Sequence, residues 1–350
     1  MQFTIEKTTQ SKLPSVDFDQ LVFGKIFSDH MLVADCIAGE WQQPAIKPYG
    51  KFEIAPSLSA LHHAQSIFEG LKAYRSVNGD VTFFRLPDNA ARMNVSAERM
   101  AMPPIPQELF VEGIKQLVAI DKGFVPSGDE LALYVRPVYF ATDEAIGVKA
   151  SLNYRLIIFT TPTGPFYAEP LKVMIETEYS RSSEGGTGFA KAAGNYGGSF
   201  YPTRRAIQRG YHQLIWTDAR ENKYVEESGS MNLMFVFNGV LTTPPLSHSK
   251  LAGITRDSLL KIASDLQIPV EVREISVDEI QQRFDDGSLN ECFGTGTAVG
   301  VSHIAMIGHK EREMVLAPFD QRPVASKLGK HLIDIKRGAV SDSHGWVTRI

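Results

Sequence analysis

The sequence predicts an α+β chain of two domains. Three observations carry that expectation. A chain of 350 residues is long enough for two separate cores. The turn pairs Asn78-Gly79 and Asn238-Gly239 each lie between apolar strand runs, one in each half, and this pair is the strongest short hairpin signal. Between the halves lies Thr161-Pro162-Thr163-Gly164-Pro165-Phe166-Tyr167-Ala168-Glu169-Pro170, rich in the residues that break regular structure. The expected division is a smaller N-terminal domain over 1–163, an interdomain loop over 164–170 and a larger domain over 171–350.

In the first half, the opening ~60 residues show no clear period and read as short strands and connections. His62-His63 invites a metal reading. Neighbouring side chains diverge in helix and strand alike, and no further ligand follows at a suitable spacing, so no metal is expected. The strands around Asn78-Gly79 run over Lys72-Ala73-Tyr74-Arg75 and Val81-Thr82-Phe83-Phe84, with Arg85 at the second strand's end. An arginine there can clamp a phosphate or carboxylate in a fork; a weak surface ion pair is the ordinary alternative. Asp88 or Asn89 is expected to cap a helix reaching Met100, and a second helix is expected from Gln107 to about Lys122. In Glu130–Phe140, alternation puts Tyr134 and Arg136 on one face and Leu133, Val135 and Pro137 on the other. That pair suits a carboxylate, or equally a half-exposed edge face. Tyr154–Thr160 reads as the last strand of this half.

The second half opens on the strand Leu171–Ile175. Next comes Gly185-Gly186-Thr187-Gly188-Phe189-Ala190-Lys191-Ala192-Ala193-Gly194-Asn195-Tyr196-Gly197-Gly198, with one lysine between two glycine clusters. Glycine allows close backbone approach to a ligand, and a lysine held there can become a nucleophile; a mobile loop with a solvated lysine is the ordinary alternative. A helix is expected from about Gly198 to Arg209, then a strand over Gln213–Thr217. Glu227 leads the apolar strand Met231–Phe237, where a carboxylate is either a turn residue or faces a cationic ligand atom. Gly253-Ile254-Thr255 precedes a helix with Leu259, Ile262, Ala263 and Leu266 on one face and Thr255 as candidate N-cap. Such a start offers backbone N–H groups to a phosphate. Cys292–Gly300 is no nucleotide loop, because position 299 is valine and no lysine follows, yet its N–H groups and hydroxyls suit an anion.

Composition narrows the function classes. A formal net charge of −4 gives no electrostatic case for nucleic acid or an anionic membrane. The two cysteines, Cys36 and Cys292, make no disulfide framework. The N-terminus lacks the apolar core of a signal, and no apolar run reaches the roughly 20 residues of a membrane helix, so a soluble cytoplasmic protein is expected.

Taken together, a lysine nucleophile, a tyrosine, an acid before a buried strand, a strand-end arginine, a glycine-led helix start and a Gly-Thr turn match the needs of pyridoxal 5′-phosphate. Its aldehyde takes a lysine, its ring nitrogen a carboxylate, and its phosphate an arginine and backbone N–H groups. The five motifs Phe68-Glu69-Gly70-Leu71-Lys72-Ala73-Tyr74-Arg75, Tyr134-Val135-Arg136-Pro137, Lys191-Ala192-Ala193-Gly194-Asn195-Tyr196-Gly197, Glu227-Ser228-Gly229-Ser230-Met231-Asn232 and Phe293-Gly294-Thr295-Gly296-Thr297-Ala298 occur in order between about Trp41 and His303. In these the chain resembles the branched-chain amino acid aminotransferases, which are fold-type IV pyridoxal-phosphate enzymes.

The resemblance implies a cofactor between an N-terminal α/β domain and a larger domain built on a pseudo-barrel of strands. It implies that Lys191 forms the Schiff base and shuttles the proton, that Glu227 pairs with the ring nitrogen, and that Tyr196 bonds the phenolic oxygen. Arg85, the backbone at Ile254 and Thr255, and Thr297 would hold the phosphate; Thr297 and Ala298 would receive the substrate α-carboxylate. Phe68 would line the apolar pocket. Tyr134 and Arg136, reaching in from the partner of an obligate homodimer, would take the side-chain carboxylate of glutamate or 2-oxoglutarate. The implied activity is transamination of leucine, isoleucine and valine with 2-oxoglutarate. A D-amino-acid transaminase or an aminodeoxychorismate lyase-like enzyme is the alternative. Departures from the family are His63 at a usual tyrosine position, Ser230 for threonine, Phe166-Tyr167 for Tyr-Phe, and no Cys-x-x-Cys after the turn, so no thiol switch is expected there.

Overall fold

The structure, a computed structural model, describes residues 1–167, 169–229 and 231–350, so Ser230 lies outside the described residues. The chain forms two compact units. The first is Met1–Phe166 with Ala190–Gly194 and Asp334–Ile350; the second is Tyr167–Phe189 with Asn195–Ile333. Two short segments expected in the second domain thus join the first unit. The reason is strand pairing: Val347–Arg349 lies antiparallel to Val81–Phe84, and Ala192 bridges to Ile67. Among the described residues no helix is long and apolar enough to cross a membrane.

The first unit is built, among the described residues, on a ten-stranded sheet. Its spine is the strand Ala132–Ala141, paired with Tyr154–Thr163 on one side and Leu71–Arg75 on the other. The expected alternation holds. Leu133 and Val135 point with Leu71, Ala73, Phe83, Leu156 and Ile158 into a core shared with Ala90, Met93, Ala97, Leu109, Ile114 and Leu117 of two helices. Tyr134 and Arg136 are left on the opposite face. Those helices span Leu86–Arg99 and Gln107–Ile120. The first begins earlier than an Asp88 or Asn89 cap requires. Arg85 is its N-cap, in the left-handed region at φ 53°, because Pro87 suits a first turn whose N–H groups need no helical partner.

The second unit closes a ring. Leu171–Glu176 pairs with Gln213–Thr217, then Val225–Ser228, Met231–Phe237, Leu289–Gly296 and Gly300–His309, which returns to Leu171–Glu176. Six strands so joined leave no open edge within the ring, and the larger sheet among the described residues counts nine strands. Val173, Ile175, Ile215, Leu233, Phe235, Cys292, Ile304 and Ile307 fill its core. At the Asn238-Gly239 hairpin both residues have positive φ, 48° and 81°, the mirror-image turn that matches strand twist. The helix expected from Gly198 runs Phe200–Gln208, after a separate turn over Gly194–Gly197, since paired glycines make a poor helix interior. The helix Ile254–Asp265 has Gly253 as N-cap, so Thr255 sits inside its first turn rather than capping it.

Two lysines are buried in the first unit. Lys72 is 9% exposed, and Lys336 is 3% exposed with its ammonium 5.1 Å from the Phe84 ring and 5.5 Å from that of Tyr74. Burial pushes Lys72 down to about 8; burial, and secondarily the charge of Lys72, pushes Lys336 to about 7. The unfolded chain has ordinary lysines and binds more protons between pH 7 and 10, so stability rises with pH across that window and falls as pH drops through the folded values. Lys336→Met is expected to stabilise the protein at pH 7 by roughly 1 kcal/mol or more and to flatten this pH dependence. Thermal unfolding at pH 7 and pH 9 checks both.

Candidate active site

The Lys191 segment is a turn held to the strand Ser66–Phe68 by an isolated β-bridge. Phe68 N–H donates to the Lys191 carbonyl at 3.1 Å, Ala193 N–H donates to the Ser66 carbonyl at 2.9 Å, and Ala192 bridges to Ile67. The Lys191 N–H donates to Ser96 Oγ at 2.9 Å. Both of its main-chain polar groups are therefore engaged, and the side chain projects from a fixed base. Its ammonium lies 4.9 Å from the centre of the Phe68 ring.

The same ring receives Arg136, whose guanidinium carbon is 4.8 Å from it and 5.3 Å from the Tyr134 ring. Arg136 Nη2 donates to Tyr134 Oη at 3.3 Å, while its Nε is buried with no partner among the described residues. A buried guanidinium donor with nothing to bind is costly unless a ligand supplies an acceptor. Gly70 explains the glycine of Phe68-Glu69-Gly70: a Cβ there would collide with Tyr134 Oη, so only glycine lets the phenol cross the strand. Lys72 stands opposite Tyr134 in register. Phe23 packs edge-on at 5.0 Å against both Tyr134 and Phe166, which makes Phe166 the ring of the Phe166-Tyr167 pair on this side of the first unit.

Within one chain, Tyr134 and Arg136 flank Phe68 and Lys191. Arg85 belongs to the same unit but keeps other company: Nε donates to Asp88 at 2.8 Å, and the guanidinium lies 5.4 Å from the Trp346 ring. His63 is exposed at the end of the helix Ser59–His63.

In the second unit Glu227 is nearly enclosed. Arg181 Nη2 approaches Oε1 at 2.8 Å with side-chain exposures of 8% and 5%, and Leu251 N–H donates to Oε2 at 3.1 Å. Asn232 is Glu227's strand partner, and Thr295 is Asn232's, so a carboxylate, an amide and a hydroxyl form one row across three strands. Thr295 Oγ1 is buried with no partner among the described residues. Asn232 Nδ2 donates to the Leu251 carbonyl at 2.9 Å, and its Oδ1 would collide with a Cβ at Gly253, so it also sets the approach to the helix start at Ile254 and Thr255. Thr297 and Ala298 occupy the turn that follows Thr295, between Leu289–Gly296 and Gly300–His309. Tyr196 lies in the turn Gly194–Gly197, its carbonyl accepting from Ser199 Oγ at 2.7 Å. Thr187 and Asn195 close the lysine loop, with Thr187 Oγ1 donating to Asn195 Oδ1 at 2.6 Å and Asn195 Nδ2 donating to the Thr187 carbonyl at 2.8 Å.

This donor set fits pyridoxal 5′-phosphate. Glu227 accepts on both oxygens, and a carboxylate has acceptor capacity for a ring N–H besides. Thr295 has an unspent hydroxyl, and the glycine-led helix start suits an anion.

Sequence reasoning did not find Arg181, Asn232 or Ser96. Asn232 carried a signal, as a lone amide inside the apolar run Met231–Phe237. Arg181 and Ser96 carried none, because each acts on a residue far away in the chain.

Residues 66–307 match the family described as amino-transferase class IV. A branched-chain-amino-acid aminotransferase 2 of Bacillus subtilis (strain 168) is 41% identical over 346 residues, covering 98% of this chain and 95% of the relative. A branched-chain-amino-acid aminotransferase of Mycobacterium tuberculosis (strain CDC 1551 / Oshkosh) is 42% identical over 337 residues, covering 94% and 92%. Among solved structures, the branched-chain aminotransferase of Thermoproteus uzoniensis with norvaline is similar with a TM-score of 0.75 at 25% identity, covering 91% of this chain and 99% of that one. The branched-chain amino acid aminotransferase from Escherichia coli gives 0.72 at 25% identity, covering 91% and 98%.

Proposed function

The chain belongs to the class IV amino-transferase family, and on that premise we propose that it moves the amino group of leucine, isoleucine or valine to 2-oxoglutarate, giving branched-chain 2-oxo acids and L-glutamate. The two half-reactions alternate in one site, which gives ping-pong kinetics. Pyridoxal 5′-phosphate supplies the electron sink for the charge that develops when the amino acid loses its Cα proton. Lys191 is its point of attachment and the base that moves that proton. Glu227 would accept from the ring nitrogen, Tyr196 would donate to the phenolic oxygen, and Arg85, Thr297 and the backbone of Ile254 and Thr255 would hold the phosphate. Thr297 and Ala298 present N–H groups to the substrate α-carboxylate.

One pocket has to serve apolar and acidic side chains in turn. Phe68 offers the apolar wall. Tyr134 and Arg136 offer the charged end, and the observation that carries this reading is the Nε of Arg136, buried without a partner among the described residues, beside the ring that also bears Lys191. The working assembly is a homodimer.

Arg136→Leu tests it. The KM for 2-oxoglutarate and for glutamate is expected to rise about a hundredfold, as loss of a charge-paired contact does, while the half-reaction with L-leucine stays within about threefold. Equal losses in both half-reactions remove Arg136 from the carboxylate role. Mixing the holoenzyme with L-leucine should bleach its visible band and D-alanine should not; the reverse makes it a D-amino-acid transaminase.

A further inference from the structure

Ser96 is wholly buried in the last turn of the helix Leu86–Arg99, between core residues Met93 and Ala97. Serine is a weaker helix former than alanine, because its hydroxyl competes for backbone groups. Here the hydroxyl has two uses. It donates its single proton to the Arg92 carbonyl one turn back, at 3.2 Å, which leaves its lone pairs to accept from the Lys191 N–H at 2.9 Å.

The same helix holds the other side of the lysine. Arg92 grips Glu69 with two bonds, Nε to Oε1 at 2.6 Å and Nη2 to Oε2 at 2.8 Å, and Glu69 is fully buried. Glu69 follows Phe68, whose N–H donates to the Lys191 carbonyl at 3.1 Å. One helix therefore references both main-chain polar groups of Lys191, the N–H directly and the carbonyl through Phe68.

We propose that Ser96 is the positioning residue for Lys191: its hydroxyl fixes the main-chain orientation from which the amine reaches the reacting carbon, with the Arg92–Glu69 pair as the second anchor. The inference rests on the reading of Lys191 as the catalytic amine. The lysine amine stands at the end of four methylenes, so a small tilt of its peptide moves it far. Misplacement of a reacting group by about 1 Å costs on the order of a hundredfold in rate.

The test uses holoenzyme carrying Ser96→Ala or Ser96→Thr. In Ser96→Ala, hydrogen exchange at the Lys191 amide is expected to quicken at least about tenfold as the N–H loses its partner. The pH midpoint of the lysine-bound cofactor's visible band should shift, and kcat should fall roughly ten- to a hundredfold, with the KM for L-leucine within about threefold. Ser96→Thr keeps the hydroxyl and should restore most of the exchange protection and of kcat. Should Ser96→Ala fail to fold, Arg92→Lys, which keeps the charge but loses the fork, should show the same exchange and spectral signature more weakly.

A lower unfolding temperature in Ser96→Ala with unchanged exchange and an unchanged spectral midpoint assigns Ser96 to packing alone and overturns the proposal, as does failure of threonine to rescue an affected alanine variant. A separate result, a covalent cofactor link surviving in Lys191→Ala, would remove the lysine's role while the exchange measurement still reports on the hydrogen bond.

Discussion

Lys191→Ala is expected to lower kcat/KM for L-leucine by about four orders of magnitude or more and to abolish the borohydride-reducible link between protein and cofactor. The size follows from losing at once the two functions proposed for Lys191, covalent attachment and proton transfer at Cα, each worth a large factor. The geometry leaves little room for a substitute. Lys191 is the lysine set over Phe68, at 4.9 Å, on the face that also carries Arg136 and Tyr134. The main chain on both sides of it is hydrogen-bonded. Lys72, of the same unit, is a competitor through its place beside Tyr134. Lys72 faces Tyr134 in register, and burial lowers it to about 8, so a sizeable fraction is neutral and nucleophilic near that pH. Peptide mapping after reduction separates the two. A link found at Lys72 in the wild-type enzyme, or persisting there in Lys191→Ala, would falsify the assignment of Lys191. The ring-closed second unit and the ten-stranded first unit do not depend on this side chain, so the variant should fold with a wild-type unfolding midpoint.

The parts of the site that the sequence displayed are those where one residue type breaks a local pattern. A single lysine between glycine clusters, an acid leading an apolar strand, and a tyrosine and arginine two apart in an alternating strand are all visible over a few residues. The hairpins at Asn78-Gly79 and Asn238-Gly239 were visible for the same reason. What stayed hidden depends on distant pairing. Nothing near Lys191 tells that its segment would join the strand Ser66–Phe68, and Ser96, 95 residues earlier, cannot be linked to it by spacing. Closure of the six-strand ring depends on Val225–Ser228 pairing with both its neighbours, which periodicity does not report. The placement of Tyr134 and Arg136 beside Lys191 of the same chain likewise follows from the register of Leu71–Arg75 against Ala132–Ala141. The helix was expected to start at an Asp88 or Asn89 cap and starts at Leu86 instead for a local reason, since Pro87 fits the first helical turn.

Glu227→Gln should cost roughly a thousandfold in kcat, the scale reached when a fixed charge facing the reacting system is neutralised. Two effects add. An amide cannot carry the negative charge that, in the proposed role of Glu227, keeps the cofactor ring an electron sink. It also fits its own surroundings badly. Glu227 now accepts from Arg181 on one oxygen, at 2.8 Å, and from Leu251 N–H on the other, at 3.1 Å. A glutamine must turn its NH2 group toward one of those donors, so a donor faces a donor in a site with 5% side-chain exposure. The buried Arg181 would then lose the carboxylate that compensates it. Glu227→Asp keeps the charge but shortens the reach, so it should recover the visible band more fully than kcat. Half-reaction kinetics distinguish this from loss of Lys191: Glu227→Gln retains the reducible link but reacts slowly with L-leucine and L-glutamate alike, because the electron sink serves both substrates. If only the glutamate half-reaction slows, Glu227 acts on the acidic side chain, and the polar row Glu227–Asn232–Thr295 belongs to substrate recognition instead of the cofactor ring.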